Sequence, residues 1–461
     1  METILTNIVA VVNDILWNKY LLLLFLLLGS GIYFTIRTKF VQIRKFGEGM
    51  RLVFGNITLN GKAAGKDGMS SFQALATAIA AQVGTGNIAG CASALVSGGP
   101  GAVFWMWVSA FFGMATIYSE AVLAQKYKVV GEDGAVSGGP IYYIKAAFKG
   151  KLGTFMAGFF AVAIILALGF MGNMVQSNSI GDAFYTAFGV PKMAVGIAVA
   201  AISAFIFLGG VKRIASITEK LVPVMAIFYI CGSLIAIGMN AGNILPALKS
   251  IFVGAFTPQA VMGGAIGISI KEAVRFGVAR GLFSNEAGMG STPHAHAMAK
   301  VEKPQDQGAV AMIGVFIDTF IVLTMTALVI LTSGMLGTVG ADGQMLTATA
   351  LAQAAFNHSF GSFGSVFVAI CLLFFAFSTI IGWYFFGESN VKALFKGSKK
   401  ATVIYGVIAL VFIVVGSFQK VGLVWDMSDM FNGLMVIPNL LAVLALSGIV
   451  VKFAKDDNFR G

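Results

Sequence analysis

Two polar stretches interrupt long apolar runs of this sequence. The first is AAQVGTGN at residues 80–87 and the second is FSNEAGMGST at residues 283–292. Each glycine costs a helix interior about 1 kcal/mol relative to alanine. Pro293, directly after the second stretch, cannot make the helical hydrogen bond to the carbonyl of Met289. We therefore expect both helices to break at these places.

A break inside a membrane helix bares peptide groups, and these persist in hydrocarbon only where they line a cavity. The half-helix that starts at the break presents N–H groups, which suit a carboxylate. The half-helix that ends there presents carbonyl oxygens, which suit a bare cation. An amino acid zwitterion together with Na⁺ would match both ends. Close helix packing alone explains the glycines, but it leaves the clustered Gln, Thr, Asn, Ser and Glu unexplained.

Two acids in apolar runs are further candidates, because ionisable groups at membrane depth are usually functional. Glu286 lies in the second stretch, where it could contact a substrate, bind amide groups, or pair with Arg280 or Arg275. Asp318, in GVFIDTFIV, could form a second cation site, accept a proton, or pair with a hydroxyl of a neighbouring helix.

Three other polar residues are weaker candidates for a functional role. Glu120 is expected near the cytoplasmic end of its helix, either snorkelling to the interface or pairing with a lysine. His294 and His296 are spaced i, i+2, so they point apart on a helix. Zinc needs more ligands than these, so no metal site beyond Na⁺ is predicted, and both histidines should hydrogen-bond instead.

The composition requires a membrane, since 57% of the residues are hydrophobic and 11% are charged, against roughly 25% charged in soluble domains. The apolar runs are about 20 residues long and do not alternate between polar and apolar residues. This pattern predicts transmembrane helices rather than a β-barrel. The sequence therefore predicts an all-α polytopic protein of about eleven transmembrane helices. We place these at 15–37, 70–97, 101–126, 153–187, 192–210, 214–240, 263–299, 307–333, 362–387, 401–418 and 428–451.

The basic residues predict the orientation. With the N-terminus outside and the C-terminus in the cytoplasm, 24 of the 31 Lys and Arg residues fall in inside segments. The chain would then be a multi-pass protein of the inner (plasma) membrane. The net charge of +11 is spread over short loops, which argues against nucleic-acid binding. Residues 40–55 mix basic and apolar side chains, as in an interfacial amphipathic helix or a solvated loop.

The two broken helices occupy matching places, since each opens a set of five helices. This arrangement predicts a five-plus-five inverted repeat with one extra N-terminal helix, and such paired breaks point to a transporter site. The predicted units are residues 1–69 (extra helix and amphipathic segment), 70–257 (first repeat) and 258–461 (second repeat). No P-loop, nucleophile elbow or HExxH pattern occurs, so neither ATP-driven transport nor enzymatic activity is expected.

Three stretches resemble one known family. GVARGLFSNEAGMGSTPHAHA at 277–297, QVGTGNIAG at 82–90 and FSTIIGWYFFGE at 377–388 resemble the alanine or glycine:cation symporter family, also called the sodium:alanine symporters. That family is similar in fold to the neurotransmitter:sodium symporters. The resemblance covers essentially the whole chain. It implies alternating-access symport of alanine, glycine or a related neutral amino acid with Na⁺ as the coupling ion and no other cofactor.

The resemblance also implies two sets of contacts. The cation would bind the backbone carbonyls of Ala80, Val83 and Phe375 and the hydroxyls of Ser378 and Thr379. The substrate would bind at the first break, at the second break and on two further helices, at Thr85, Gly86, Asn87, Gln176, Phe283, Ser284, Glu286, Thr379 and Trp383. If Phe283, Met289 and Trp383 point inward, the pocket would exclude large side chains, whereas plain packing is the alternative.

Several alternatives stay open at the level of sequence. The coupling ion could be H⁺ and the substrate could be of the glutamine type. The same carbonyls could line an ion channel or passive facilitator, which would conduct without substrate. An intramembrane enzyme would need a paired catalytic motif, and none is found.

Overall fold

The computed structural model describes residues 2–55, 68–131, 136–260, 267–341, 343–419, 421–456 and 458–459. The described chain is almost entirely helical, because a helix satisfies every backbone polar group internally where water is absent. The first half contains α1 Glu2–Asn13, α2 Leu22–Arg37, α3 Val41–Arg44, α4 Phe46–Phe54, α5 Ser71–Gln82, α6 Cys91–Gly98, α7 Gly101–Lys126, α8 Pro140–Ala147, α9 Gly150–Ile164, α10 Asn173–Phe188, α11 Lys192–Phe207, α12 Gly210–Met239 and α13 Ile244–Phe256.

The second half continues with α14 Ile270–Asn285, α15 Pro293–Met298, α16 Pro304–Val315, α17 Thr324–Ser333, α18 Ala348–Phe360, α19 Phe363–Leu394, α20 Lys399–Gly416, α21 Val421–Ala445 and α22 Ser447–Lys455. Short π-helical or 3₁₀ turns join some of these at Asp14–Asn18, Gly86–Gly90, Ile165–Gly172, Ala241–Asn243 and Phe316–Leu323. Two antiparallel hairpins pair β1 Val129–Val130 with β2 Val136–Ser137 and β3 Gln259–Ala260 with β4 Gly267–Ile268.

The described residues include eight helical segments that are long and apolar enough to cross a membrane, or nine if α5 and α6 count as one bent span. Two other predicted runs lie outside this count. α11 is apolar but short, and α14 carries Lys271, Glu272, Arg275 and Arg280. α19 is the most buried of the spans and α20 the least, so α19 lies at the centre of the bundle.

The predicted helix bounds need several corrections. Helices α1, α8, α13 and α18 fall outside the predicted runs, and the run 428–451 is two helices that meet at Leu446. Part of the run 263–299 (residues 263–266) lies outside the described residues, and its helix starts at Ile270. Residues 41–44 and 46–54 are helical, so the solvated-loop interpretation of that segment is wrong.

Both broken helices begin in the same way. Ser70 caps α5 by accepting from the amide of Gln73, whose side chain accepts in return from the amide of Ser70. Ser269 and Glu272 form the same reciprocal pair at the start of α14. Such a capping box satisfies two otherwise unpaired donors of the first turn. The sequence therefore fixes the start of both helices by one local device.

The two broken helices cross the bundle in opposite directions. Met69, just before α5, donates its amide to the carbonyl of Met298 at the end of α15 (2.9 Å), and Lys300 donates back to Met69 (3.0 Å). The start of one broken helix therefore lies beside the end of the other, as an inverted pair requires. The repeat boundaries at 70, 257 and 258 stay a prediction.

Segments that are predicted to lie inside contact one another at two places. Arg44 Nη2 donates to the carbonyl of Ala454 (2.9 Å), and Lys128 Nζ donates to the carbonyl of Ala299 (2.8 Å). These contacts join segments from four separate parts of the chain, including its C-terminal helix. They bring two basic segments next to other predicted inside segments, and the orientation of the bundle in the membrane stays a prediction.

Candidate functional site

The first break lies between α5 and α6. Val83 is extended (φ −81°, ψ 91°), and the chain resumes as the π-helical turn Gly86–Gly90 before α6. The two half-helices meet at an angle of 46°. All residues from Ala80 to Gly90 are buried, so the bared peptide groups face protein rather than lipid.

The five predicted cation ligands come together where the first break meets α19. The hydroxyl oxygen of Thr379 lies within hydrogen-bonding distance of the carbonyls of Ala80 (2.9 Å), Val83 (3.4 Å) and Phe375 (3.0 Å). The hydroxyl of Ser378 donates to the carbonyls of Phe375 (2.8 Å) and Ala80 (3.3 Å). The five predicted ligands are all neutral oxygens, which are the ligands that hard cations prefer. Met225 Sδ also lies 3.5 Å from Ser378 Oγ.

Gly84 lets α19 and α10 approach this break closely. A Cβ atom at this position would collide with Thr379 Oγ1 and lie 3.0 Å from Gln176 Oε1. Gln176 Oε1 accepts the amide of Thr85 (2.9 Å). Gln176 Nε2 and Thr85 Oγ1 are buried, and neither has a hydrogen-bond partner among the described residues. Two orphaned polar atoms therefore sit beside the break, where a polar ligand would satisfy them.

The second break spans residues 286–292, between α14 and α15. Glu286 adopts a left-handed conformation (φ +59°), and Gly288 and Gly290 also have positive φ (+96° and +78°). Such angles are nearly free of strain for glycine but not for glutamate. Pro293 then occupies the first turn of α15, where its missing N–H removes no helical bond.

Glu286 faces α19. Its carboxylate accepts from the indole Nε1 of Trp383 (2.5 Å) and from the hydroxyl of Ser291. The predicted pairing with Arg280 or Arg275 is wrong for Arg280, which instead forms a bidentate ion pair with Asp429 of α21 (both contacts 2.7 Å). No ion pair of Glu286 with Arg275 is found in the described chain.

Glu120 is not a snorkelling residue, and the expectation placed on it is wrong. Its side chain is fully buried and accepts the amides of Gly288 (2.9 Å) and Gly290 (3.0 Å) and the side-chain amide of Asn439 (2.6 Å). Asn439 also donates to the carbonyl of Gly288 (2.9 Å) and accepts from Tyr143 (2.5 Å). The second break is therefore held by α7 and α21. Asn439 could have been singled out from the sequence as a polar residue of interest, because it follows a proline within an apolar run.

Aromatic rings close the space between the breaks. Phe283 packs edge-on against Trp383 (centroids 5.6 Å apart) and at a tilt of 43° against Trp425 (4.9 Å). A Cβ atom at Gly86 would lie 3.1 Å from the Phe283 ring and 3.2 Å from Ser284 Cα. Trp425 in turn lies beneath the Arg280 guanidinium (4.7 Å). Phe283 and Trp383 are buried, as the predicted substrate pocket requires.

Asp318 joins the two broken helices. Its carboxylate accepts from Asn87 Nδ2 (2.7 Å) of the first break, from Ser284 Oγ (2.9 and 3.0 Å) of α14 and from Thr319 Oγ1 (2.9 Å). The expected hydroxyl partner on a neighbouring helix is therefore Ser284. Asp318 belongs to the π-helical turn Phe316–Leu323, and π-turns are frequent at functional sites.

Both histidines are hydrogen-bonded, as predicted. His294 Nδ1 lies 2.7 Å from the carbonyl of Ser291, and its Nε2 lies 2.8 Å from Asn390 Nδ2. His296 Nδ1 lies 2.8 Å from Gln307 Nε2. Within the described residues, no group of three or more His, Cys, Asp or Glu side chains could hold a metal ion.

The fold and the chain have known relatives. Among solved structures, MhsT in complex with L-phenylalanine superposes with a TM-score of 0.57 at 14% identity, covering 85% of this chain and 98% of that chain. An Eremococcus coleocola manganese transporter superposes with a TM-score of 0.51 at 15% identity, covering 83% and 78%. These likenesses show that the chain has the LeuT-like transporter fold.

Curated relatives are much closer in sequence. The sodium/alanine symporter AgcS of Methanococcus maripaludis is 42% identical over 98% of this chain and 97% of its own length. The probable sodium/glutamine symporter GlnT of Bacillus subtilis is 43% identical over 99% and 91%. The profile of the Sodium:alanine symporter family matches residues 1–459. This multi-pass membrane protein is thus a transporter rather than an enzyme, and it belongs to the sodium:alanine symporter family.

Proposed function

We propose that this chain couples Na⁺ to the uptake of a small neutral amino acid, alanine or glycine, by alternating access. The observation that carries the proposal is the cluster of buried oxygens where Ser378 and Thr379 of α19 meet the carbonyls of Ala80, Val83 and Phe375. When a bare cation binds, the two hydroxyl hydrogens would turn away from the cluster, and the five oxygens would coordinate the ion through their lone pairs.

The chemistry of this cluster favours Na⁺ over H⁺. A proton needs a titratable base, and the five groups are three amide carbonyls and two alcohols. Na⁺ needs several oxygen ligands and no base. The proton-coupled alternative would therefore have to use another site.

The substrate would lie between the two breaks. Its carboxylate would face Thr85, Gly86 and Asn87, where a half-helix begins. It would replace Gln176 Oε1 as the acceptor of the Thr85 amide. The orphaned Gln176 Nε2 and Thr85 Oγ1 would gain partners there. On the second break, Ser284 and the backbone around Glu286 would receive the ammonium group.

The aromatic walls favour a small substrate. Phe283 and Trp383 contact each other, and the chain at Gly86 leaves little room beside Phe283. A substrate with a methyl group or no side chain fits this description better than one with a long amide. The relative named as a glutamine symporter is nevertheless as similar to this chain as the one named for alanine, so glutamine belongs in the test.

The protein would span the plasma (inner) membrane with its N-terminus outside and its C-terminus in the cytoplasm. The distribution of charge supports this orientation, because 24 of the 31 Lys and Arg residues fall in the predicted inside segments. Na⁺ entering from outside would supply about 2.3 kcal/mol per charge for each 100 mV of membrane potential.

Uptake by the purified protein in liposomes tests the proposal. With an inward Na⁺ gradient, labelled alanine and glycine should accumulate, and replacing Na⁺ by K⁺ should abolish accumulation. Faster uptake of glutamine would identify the glutamine-type alternative. Uptake that follows a proton gradient without Na⁺, or ionic current without any amino acid, would contradict the proposal.

A further inference from the structure

We propose that Trp17, which precedes the predicted repeat, is a positioning residue for the substrate site. It would hold α21 against α14 and so slow the escape of a bound amino acid between these two helices. This inference rests on the proposed function, because it concerns the release of the substrate that the two breaks would bind. It gives a role to the N-terminal segment, by which we mean α1 and the π-helical turn Asp14–Asn18 that carries Trp17.

The ion pair between Arg280 and Asp429 covers one side of the proposed substrate space. Arg280 lies in α14, before the second break, and its guanidinium stacks on Trp425 (4.7 Å), which packs against Phe283 (4.9 Å). α15 continues the broken helix on the other side of the break. An amino acid that leaves on the side of Arg280 would have to part α14 from α21 and break both charge-assisted hydrogen bonds of the pair.

The N-terminal segment is bonded to α21 at the turn that carries Asp429. The indole Nε1 of Trp17 donates to the carbonyl of Asp429 (3.1 Å), and Asn13 Nδ2 donates to the carbonyl of Asp426 (2.8 Å). Trp17 is 4% exposed and Asn13 6%. In a regular helix each of these carbonyls already accepts the amide four residues later. The two bonds are therefore not needed to satisfy α21, and they join its backbone to the N-terminal segment.

Close packing extends this contact by another turn of α21. A Cβ atom at Gly433 would lie 2.6 Å from Leu23 Cδ1, 2.8 Å from Leu16 Cδ1 and 3.3 Å from Trp17 Nε1. Only glycine lets the backbone of α21 come so near. The other face of the N-terminal segment is exposed, at Leu5, Ile8, Val11 and Ile15. The segment is therefore held to the bundle along one face, and α21 supplies much of the surface it packs on.

Trp17 also lies beside the helix of the other ion-pair partner. Its π-helical turn packs against α14 as well as against α21. The helix that follows, α2, packs on α7, so the turn is anchored to a part of the bundle outside α14 and α21. Trp17 therefore connects the helix of Arg280 with that of Asp429, and parting the two helices would break its hydrogen bond.

The test measures how fast labelled alanine leaves purified protein in saturating Na⁺ after excess unlabelled alanine is added. Trp17→Phe removes the indole N–H and keeps an aromatic ring. Loss of one hydrogen bond corresponds to about a twofold to tenfold change in an equilibrium, so release should accelerate by about that factor. An unchanged rate of release would overturn the inference.

The matched control is Trp107→Phe. Trp107 Nε1 donates to Thr324 Oγ1 (2.9 Å) and joins α7 to α17, so the variant removes an indole N–H that bonds neither α14 nor α21. Release from this variant should match wild type. Equal acceleration in both variants would show that loss of any such bond loosens the bundle, and it would overturn the role given to Trp17.

A double-mutant cycle separates positioning from general loosening. If Trp17 acts through the ion pair, Trp17→Phe should accelerate release much less in an Asp429→Asn background than in wild type. The same acceleration in both backgrounds would overturn the inference.

Hydrogen exchange locates the opening and decides the matter if Asp429→Asn binds no alanine. In Na⁺ and alanine, Trp17→Phe should raise deuterium uptake at residues 421–433 of α21 and leave residues 293–298 of α15 unchanged. A rise at α15 without one at α21 would place the opening on the other side of the breaks and contradict the inference.

If Trp17→Phe does not fold, Asn13→Leu serves in its place, because it removes the neighbouring hydrogen bond to Asp426. Release should again accelerate, and an unchanged rate would overturn the inference. Wild type that binds alanine in Na⁺, with variants that release it at the wild-type rate, would refute only the role of the N-terminal segment. Wild type that binds no alanine in Na⁺ would refute the proposed function itself.

Discussion

At the scale of single residues, Thr379 links the two parts of the proposed cation site. Its hydroxyl contacts carbonyls of α5, of the first break and of its own helix. Ser378 shares two of these carbonyls. A threonine bonded only within its own helix would need one acceptor, so the additional contacts with Ala80 and Val83 distinguish Thr379 from an ordinary helical threonine.

Replacing this hydroxyl should weaken Na⁺ binding specifically. In Thr379→Val one oxygen ligand is lost while the size of the side chain is kept, and a polar contact to a charged group contributes about 1.5–3 kcal/mol. Since 1.4 kcal/mol corresponds to a factor of ten, the Na⁺ concentration for half-maximal alanine uptake should rise by about tenfold to a hundredfold.

The matched control is Thr332→Val. The hydroxyl of Thr332 bonds only to the carbonyls of Leu328 and Val329 in its own helix. Its removal should leave the Na⁺ dependence of uptake unchanged. An unchanged Na⁺ dependence in Thr379→Val would remove α19 from the cation site.

At the scale of elements, the two breaks are stabilised differently. The first break is short, and the hydroxyl oxygens of Ser378 and Thr379 of α19 lie against it. The second is longer, and the buried Glu120 carboxylate of α7 holds the bared amides of Gly288 and Gly290. Those amides are therefore already paired. At the first break the amides of Gly84 and Thr85 are held by the side-chain oxygens of Asn87 and Gln176, so a substrate carboxylate there would have to replace a side chain rather than a protein acid.

Removing the charge of Glu120 should loosen the second break. The carboxylate uses one oxygen for Gly288 and the other for Gly290 and Asn439. In Glu120→Gln a single oxygen remains, so at least one buried donor loses its partner at a cost of about 1–3 kcal/mol. The midpoint of thermal unfolding in detergent should fall measurably.

Glu302→Gln provides the comparison for that measurement. Glu302 is exposed, and exposed substitutions usually change stability by no more than about 0.5 kcal/mol. Its unfolding midpoint should stay close to that of wild type. Equal midpoints for Glu120→Gln and wild type would show that Glu120 does not hold the break.

The breaks themselves could be predicted from sequence, because glycine and proline act on the backbone locally. Their partners could not. Glu120 lies 168 residues from Gly288, and an apolar helix carrying one acid gives no sign of which loop it will meet. The same limit explains the wrong partner proposed for Glu286, since Arg280 lies nearby in sequence but pairs with Asp429.

At the scale of the whole molecule, the long apolar runs predicted an all-helical membrane protein, whereas the orientation that the basic segments indicate stays a prediction. Helices such as α13 and α18 were missed because they are short and lie between runs, where length and hydropathy do not separate a helix from a loop. The opposite directions of the two broken helices followed from counting spans, and the contact between Met69 and Met298 agrees with it.

The central claim is that a zwitterion and Na⁺ bind together at the two breaks. Isothermal titration of purified protein with alanine, in saturating Na⁺ and in Na⁺-free K⁺ buffer, tests it most directly. Because coupling between two ligands is reciprocal and commonly amounts to about 5–150-fold, Na⁺ should tighten alanine binding by at least severalfold. Saturating alanine should tighten Na⁺ binding in return. Equal alanine affinity in the two buffers would contradict the account.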